Sequence, residues 1–291
     1  TFRTNLLTLN NYRFEFLLWE KDKASLNSMS FLLDDTQKAV ADTVFSLHTN
    51  KKNVSAKIKS LPPKWQKHPV VMYARFEWRI RNNLRDSALQ VLENYSTSAT
   101  HLSQPSKWAF RREALARDLM FDEEYARAYE ISSKHYLETG DTYAVLEWLS
   151  GYLALEKLKN TQLALKHFKN FLLSVDAPIS LGRGFYWLGR TYEQQGKMDT
   201  ATQIYQIGAD RWETYYGLLA AEKVGLTADK TVLNTPNVSS WKEASFLTSS
   251  VFKAAKLLFS ANQEVLAERF LTHLTETLSD HDVLRLSLIH I

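Results

Sequence analysis

Residues 183–226 read RGFYWLGRTYEQQGKMDTATQIYQIGADRWETYYGLLAAEKVGL. Leu188, Gly189 and Tyr192 lie on one amphipathic stretch, and Ala201, Tyr205 and Gly208 on the next. The polar turn Gln194-Gln195-Gly196-Lys197 separates them. Gly189 and Ala201 allow two helices to approach closely, while Tyr192 and Tyr205 fill the seam beside them. The pattern predicts a helical hairpin that offers a further face to another hairpin.

The same arrangement recurs along the chain. Polar turns are followed by an alanine at Ala24, Ala56, Ala88, Ala126, Ala164 and Ala201, with intervals of 32, 32, 38, 38 and 37 residues. Those intervals fall in the range of helix-turn-helix solenoid units, and the Leu-Gly-Tyr and Ala-Tyr-Gly positions match those of a tetratricopeptide repeat. Trp148-Leu149-Ser150-Gly151-Tyr152 and Trp187-Leu188-Gly189 repeat an aromatic-to-small pairing. The expected fold is all-α: a right-handed superhelix of stacked antiparallel helix hairpins, a tetratricopeptide-like α-solenoid.

Composition agrees with that class. The 291 residues are 45% hydrophobic with only 9 Gly and 6 Pro, enough apolar content for a large core and few strand-type turns. Apolar residues recur at helical spacing, as in Leu163, Leu165, Phe168 and Leu172. Nothing approaches 18 consecutive apolar residues, so no transmembrane segment is expected. With no cysteine in the sequence, disulfide and thiolate–metal chemistry are excluded, and cytoplasm and periplasm remain equally compatible.

Reactive constellations are scarce. His48, His68, His101, His135 and His167 are scattered singly, and none forms a His-Glu-x-x-His pair. Gly182-Arg183-Gly184 has Trp187 where a dinucleotide fold needs its third glycine. Neither a phosphate-loop lysine nor a nucleophile elbow is present. The acidic pairs Asp34-Asp35 and Glu123-Glu124 fall at polar turns, where helix capping accounts for them. Catalytic residues, metal ligands and cofactors are therefore expected to be none. Charge is uneven: Lys51 to Arg117 carries 14 Lys and Arg against 4 Asp and Glu, which suits a polyanionic partner or a solvated face.

The run Arg183-Gly184, Tyr186-Trp187-Leu188-Gly189-Arg190, Ala201, Tyr215-Tyr216-Gly217 and Leu219-Ala220-Ala221-Glu222 resembles the end of the helical domain of the soluble lytic murein transglycosylases. Leu17-Leu18-Trp19, Phe76-Glu77-Trp78-Arg79, Trp108 to Arg117, Glu147-Trp148-Leu149-Ser150-Gly151 and Ala177-Pro178-Ile179-Ser180 extend the likeness over most of residues 12–226. The resemblance implies a periplasmic, non-catalytic superhelix that shapes access to peptidoglycan glycan strands and supports a C-terminal lysozyme-like domain. In that family a single glutamate, in a Glu-Ser motif followed by Gly-Leu-Met-Gln, cleaves the MurNAc–GlcNAc bond to a 1,6-anhydro product. One carboxyl group suffices because the muramyl 6-hydroxyl is the nucleophile.

Here the chain departs from the family. It has no Glu-Ser pair and no Gly-Leu-Met-Gln segment, so no catalytic residue is carried over and the catalytic domain is expected beyond this chain. The expected organisation is a superhelical repeat domain over 1–226, a loop over 227–240 and a further hairpin of the same domain over 241–285. Residues 286–291, LSLIHI, leave the amphipathic pattern and are expected to be an artefact of read-through into adapter sequence. Arg75, Arg79, Arg111 and Arg112 are the candidate substrate-binding residues, a basic patch for the carboxylates of murein stem peptides. A competing assignment gives them to ion pairs with Glu77, Asp86 and Glu113. Other functional classes also stand: a scaffold that binds protein partners in a groove, or a polyanion-binding module, with nucleic acid not preferred.

Overall fold

The computed structural model describes residues 2–226 and 240–287, and among these every regular element is helical. The chain divides into two compact units, Thr1–Thr227 and Ala228–Ile291. The first holds α1 (Phe2–Trp19), α2 (Lys23–Ser28), α3 (Asp35–His48), α4 (Val54–Ser60), α5 (Pro63–Gln66), α6 (Pro69–Arg81), α7 (Arg85–Tyr95) and α8 (Ala99–Leu102). It continues with α9 (Pro105–Phe121), α10 (Tyr125–Ser133), α11 (Asp141–Tyr152), α12 (Thr161–Leu173), α13 (Pro178–Gln194), α14 (Met198–Ala209) and α15 (Tyr215–Lys223). No helix among the described residues is long and apolar enough to cross a membrane.

One turn recurs between the helices of the first unit. Lys21, Asn50, Asn83, Glu123 and Gly196 all have positive φ, between 55° and 74°. Each donates its N–H to a carbonyl three residues back, and the next N–H reaches five back, as in Asn83 N to Ile80 O and Leu84 N to Arg79 O. This is the Schellman C-cap, which satisfies carbonyls left over at the helix end and reverses the chain. N-termini are closed by side chains where the sequence supplies them. Asp34 and Gln37 form a reciprocal capping box, and Asn160 and Thr214 each cap with a side-chain oxygen. Glu124 makes no such cap and pairs instead with Arg127.

The turns set the packing register. Five residues after four of these five positive-φ residues stands a buried side chain, Leu26, Ala88, Ala128 and Ala201 after Lys21, Asn83, Glu123 and Gly196, while the place after Asn50 falls to exposed Ser55. Ala164 holds the same place after Lys159. Ala88, Ala164 and Ala201 are thus the small contact residues the sequence pattern indicates. Ala24, Ala56 and Ala126 are exposed, and Ala128 takes the place assigned to Ala126. The reason is angular: two residues along a helix turn a side chain by about 200°, from one face to the other.

Consecutive helices pack as pairs: α6 with α7, α9 with α10, α11 with α12, and α13 with α14. In the first core Trp108 is fully buried against Tyr73, Phe76 and Tyr95. In the second, Trp187 meets Trp148, Tyr152 and Phe168. A Cβ on Gly189 would lie 2.5 Å from the Tyr205 ring, so this glycine is what lets α13 and α14 close on that tyrosine. At Gly217 an added Cβ would stand 1.8 Å from the Arg211 carbonyl oxygen, and the Gly217 N–H is capped by Thr214 Oγ1 at 3.1 Å.

In the second unit Ser240 opens short 3-10 turns, followed by α16 (Ser250–Ser260), α17 (Glu264–Thr275) and α18 (Asp280–Ser287). The expected turn at 260–263 is present, with Asn262 at positive φ and Ala267 buried five residues on. Phe246, Phe252, Leu271 and Leu274 form the core together with Leu286. Leu286, the first residue of the segment set aside as an artefact, is thus a core residue at the end of a regular helix. Residues 288–291 and 227–239, most of the expected loop, lie outside the described residues.

Candidate ligand-binding cleft

Helix α6 begins with Pro69 at its first turn and buries Val70, Tyr73, Ala74, Phe76 and Glu77 against α3 and its neighbours. The opposite flank carries Arg75, Trp78 and Arg79. With Lys59 from α4 and Gln66 from α5, they line a cleft of about 330 Å³, whose apolar wall is Leu47, Val54 and Ile58.

The four sequence-selected arginines do not share one surface. Arg75 and Arg79 lie side by side in the cleft. Arg111 lies 3.5 Å from Glu77 Oε1, which fulfils the ion-pair assignment, and Glu77 also faces Arg81. Arg112 is corrected: it is fully buried, donating from Nη1 to Ile131 O at 2.8 Å and from Nη2 to Ser96 Oγ at 2.6 Å. Burial lowers its guanidinium to about 10. Adjacent positions on a helix point about 100° apart, so α9 turns Arg111 outward while Arg112 enters the core. Glu113 pairs with Arg117, not with the cleft arginines.

Among the described residues Arg75 and Arg79 have no counter-ion. Arg75 Nη1 reaches only Met72 Sδ, at 3.5 Å, and Arg79 Nη1 donates to the Ser87 carbonyl at 3.2 Å. Among the described residues no carboxylate lies within ion-pairing distance of either, or of Lys59. Burial pushes the Arg75 guanidinium below its ordinary value. At Arg79 burial does the same, and the charge of Arg75 adds to it. The Trp78 Nε1–H is buried without an acceptor.

A second polar cluster escaped the sequence. His135 and His167, read there as isolated, converge on buried Glu147 of α11: His135 Nε2 is 3.0 Å from Oε1, and His167 Nδ1 is 2.7 Å from Oε2. Asn170 Nδ2 donates to Oε2 at 3.3 Å, and Tyr129 OH meets His167 Nε2 at 3.0 Å. Because Leu137 N–H donates to His135 Nδ1, that ring carries its proton on Nε2 and donates to the carboxylate. Burial alone pushes the Glu147 carboxyl up. Hydrogen bonds from His135 and His167 outweigh it and hold the group at about 2. The carboxylate oxygens and the ring nitrogens bond directly to one another, and no group of described residues is arranged to hold a metal ion. The cluster ties α10, α11 and α12 together. His167 and Asn170 stand three apart on α12, but His135 and Glu147 come from other segments, so the spacing on one helix does not reveal the cluster.

No family model, curated protein or solved structure matches this chain.

Proposed function

We propose that this chain is the non-catalytic helical part of a periplasmic lytic murein transglycosylase, a right-handed superhelix of helix hairpins that shapes access to peptidoglycan glycan strands. The observation that carries the proposal is the joint between α13 and α15. Residues of the family-like run meet there, the Tyr186 and Tyr216 rings 5.5 Å apart, and beside them a Cβ on Gly182 would lie 2.7 Å from Thr214 Oγ1, the same oxygen that caps Gly217 N. Thr214 thus caps the Tyr215-Tyr216-Gly217 helix start and packs against Gly182, which joins α13 to α15 and supports the reading. The recurring turn and its buried residue five positions on support the superhelix, since each hairpin leaves a face for its neighbour. The chemistry would reside in a following lysozyme-like domain.

The test is to read the gene past the codon for Asp282. A continuing frame that encodes Glu-Ser and then Gly-Leu-Met-Gln is the expected outcome. A stop codon there, with no such domain in the mature transcript, would favour a scaffold for protein partners.

A further inference from the structure

The cleft between α4, α5 and α6 combines three features that recognise one chemical class. Its cationic floor is the Arg75 and Arg79 pair, half-buried and, among the described residues, without a carboxylate partner. Two like charges held together in partial burial raise each other's cost, and an anion between them relieves both. The planar forks of guanidinium groups match a carboxylate more closely than a point charge does. Leu47, Val54, Ile58 and the Trp78 ring form the apolar wall. The third feature is Gln66: its Nε2 donates to Leu61 O at 2.7 Å and Lys59 O at 3.3 Å, which fixes the amide and leaves Oε1 to accept. Trp78, whose buried Nε1–H has no acceptor among the described residues, lines the same cleft and reports on its occupancy.

We propose that this cleft binds the free carboxyl end of a short peptide. Arg75 and Arg79 hold the carboxylate, Gln66 Oε1 accepts a peptide N–H, and the apolar wall takes the terminal side chain. The cleft, about 330 Å³, is at the small end of ligand pockets and admits roughly a dipeptide. The site stands whether or not the chain belongs to a transglycosylase, because it rests on these side chains alone.

The experiment titrates the ¹⁵N-labelled full chain with N-acetyl-alanyl-leucine, its C-terminal amide, and inorganic phosphate, by calorimetry and by the Trp78 indole N–H resonance. The free acid is expected to bind and shift that resonance. The amide, and phosphate, are expected to bind at least about tenfold more weakly, a factor worth ~1.4 kcal/mol. Arg75→Gln with Arg79→Gln should lose at least as much, while Lys169→Gln on α12 leaves binding unchanged. Arg75→Lys, which keeps the charge and the fold but removes the fork, should fall between. Equal binding of acid and amide, phosphate binding as tight as the acid, or an unaltered affinity in the folded arginine variants would overturn the proposal.

Discussion

Replacing Glu147 tests how much of the first unit's stability depends on a polar cluster at its centre. In Glu147→Ala the His135 Nε2–H and the His167 Nδ1–H lose their acceptor, at positions only 4% exposed. Each buried unsatisfied donor costs about 1–3 kcal/mol, so the expected loss is about 4 kcal/mol. Glu147→Gln should cost much less, about 1–2 kcal/mol. Its amide oxygen can still accept from His135, and its NH₂ can donate to His167 Nδ1 once that ring moves its proton to Nε2, facing Tyr129 OH. The pH dependence follows from the sign of the shift. The folded carboxyl titrates at about 2, below its ordinary 4.5, so its contribution is complete above pH 4.5 and is lost as pH falls towards 2. The gap between the native protein and Glu147→Gln should therefore close over that window. Urea unfolding followed by tryptophan fluorescence, at pH 7 and in steps down to pH 2.5, measures both. An alanine variant within about 1 kcal/mol of the native protein, equal costs for alanine and glutamine, or a gap constant with pH would refute the reasoning.

Other perturbations follow from single contacts. Gly217→Ala would place a Cβ 1.8 Å from the Arg211 carbonyl oxygen, and should cost about 3 kcal/mol in thermal or urea unfolding. Glu123→Gly relieves a left-handed residue at a Schellman turn; after the added freedom of the unfolded chain it should stabilise by ~0.5 kcal/mol, read as a higher melting temperature. At His48, burial, with the charges of Lys21 and Arg81, holds the imidazole at about 4, below its ordinary 6.5. Stability should therefore fall as pH drops from 6.5 to 4, by ~2–3 kcal/mol, and His48→Leu should flatten that slope in urea titrations.

The helical class and the hairpin turns were legible because they are local. Asn50, Asn83 and Gly196 are residue types that accept left-handed backbone, and each marks a turn. Lys21 and Glu123 adopt the same conformation with no such signature, since the turn's hydrogen bonds and packing override their preference. The hairpins were visible, but the register of their buried faces was not: counting from polar turns picks Ala126, whereas the buried position is Ala128. In the basic stretch, charge by sequence cannot separate Arg111 from Arg112, because one helical step decides between an ion pair with Glu77 and burial against Ser96. The cleft was half legible through Arg75 and Arg79, four apart on one face; Lys59 and Gln66 join them only through the fold of α4 and α5. The Glu147 cluster draws on three separate segments, so no local spacing announces it.

The central claim concerns a helical part whose chemistry lies elsewhere, and product analysis tests it most directly. The chain alone, and the chain with the sequence encoded after it, are each incubated with purified murein sacculi, and the soluble fragments are weighed by mass spectrometry. The account predicts no fragments from the chain alone and 1,6-anhydro-muropeptides, lighter by one water than hydrolysed ones, from the longer protein. Fragments released by the chain alone, or hydrolysed reducing ends or no products from the longer protein, would contradict it.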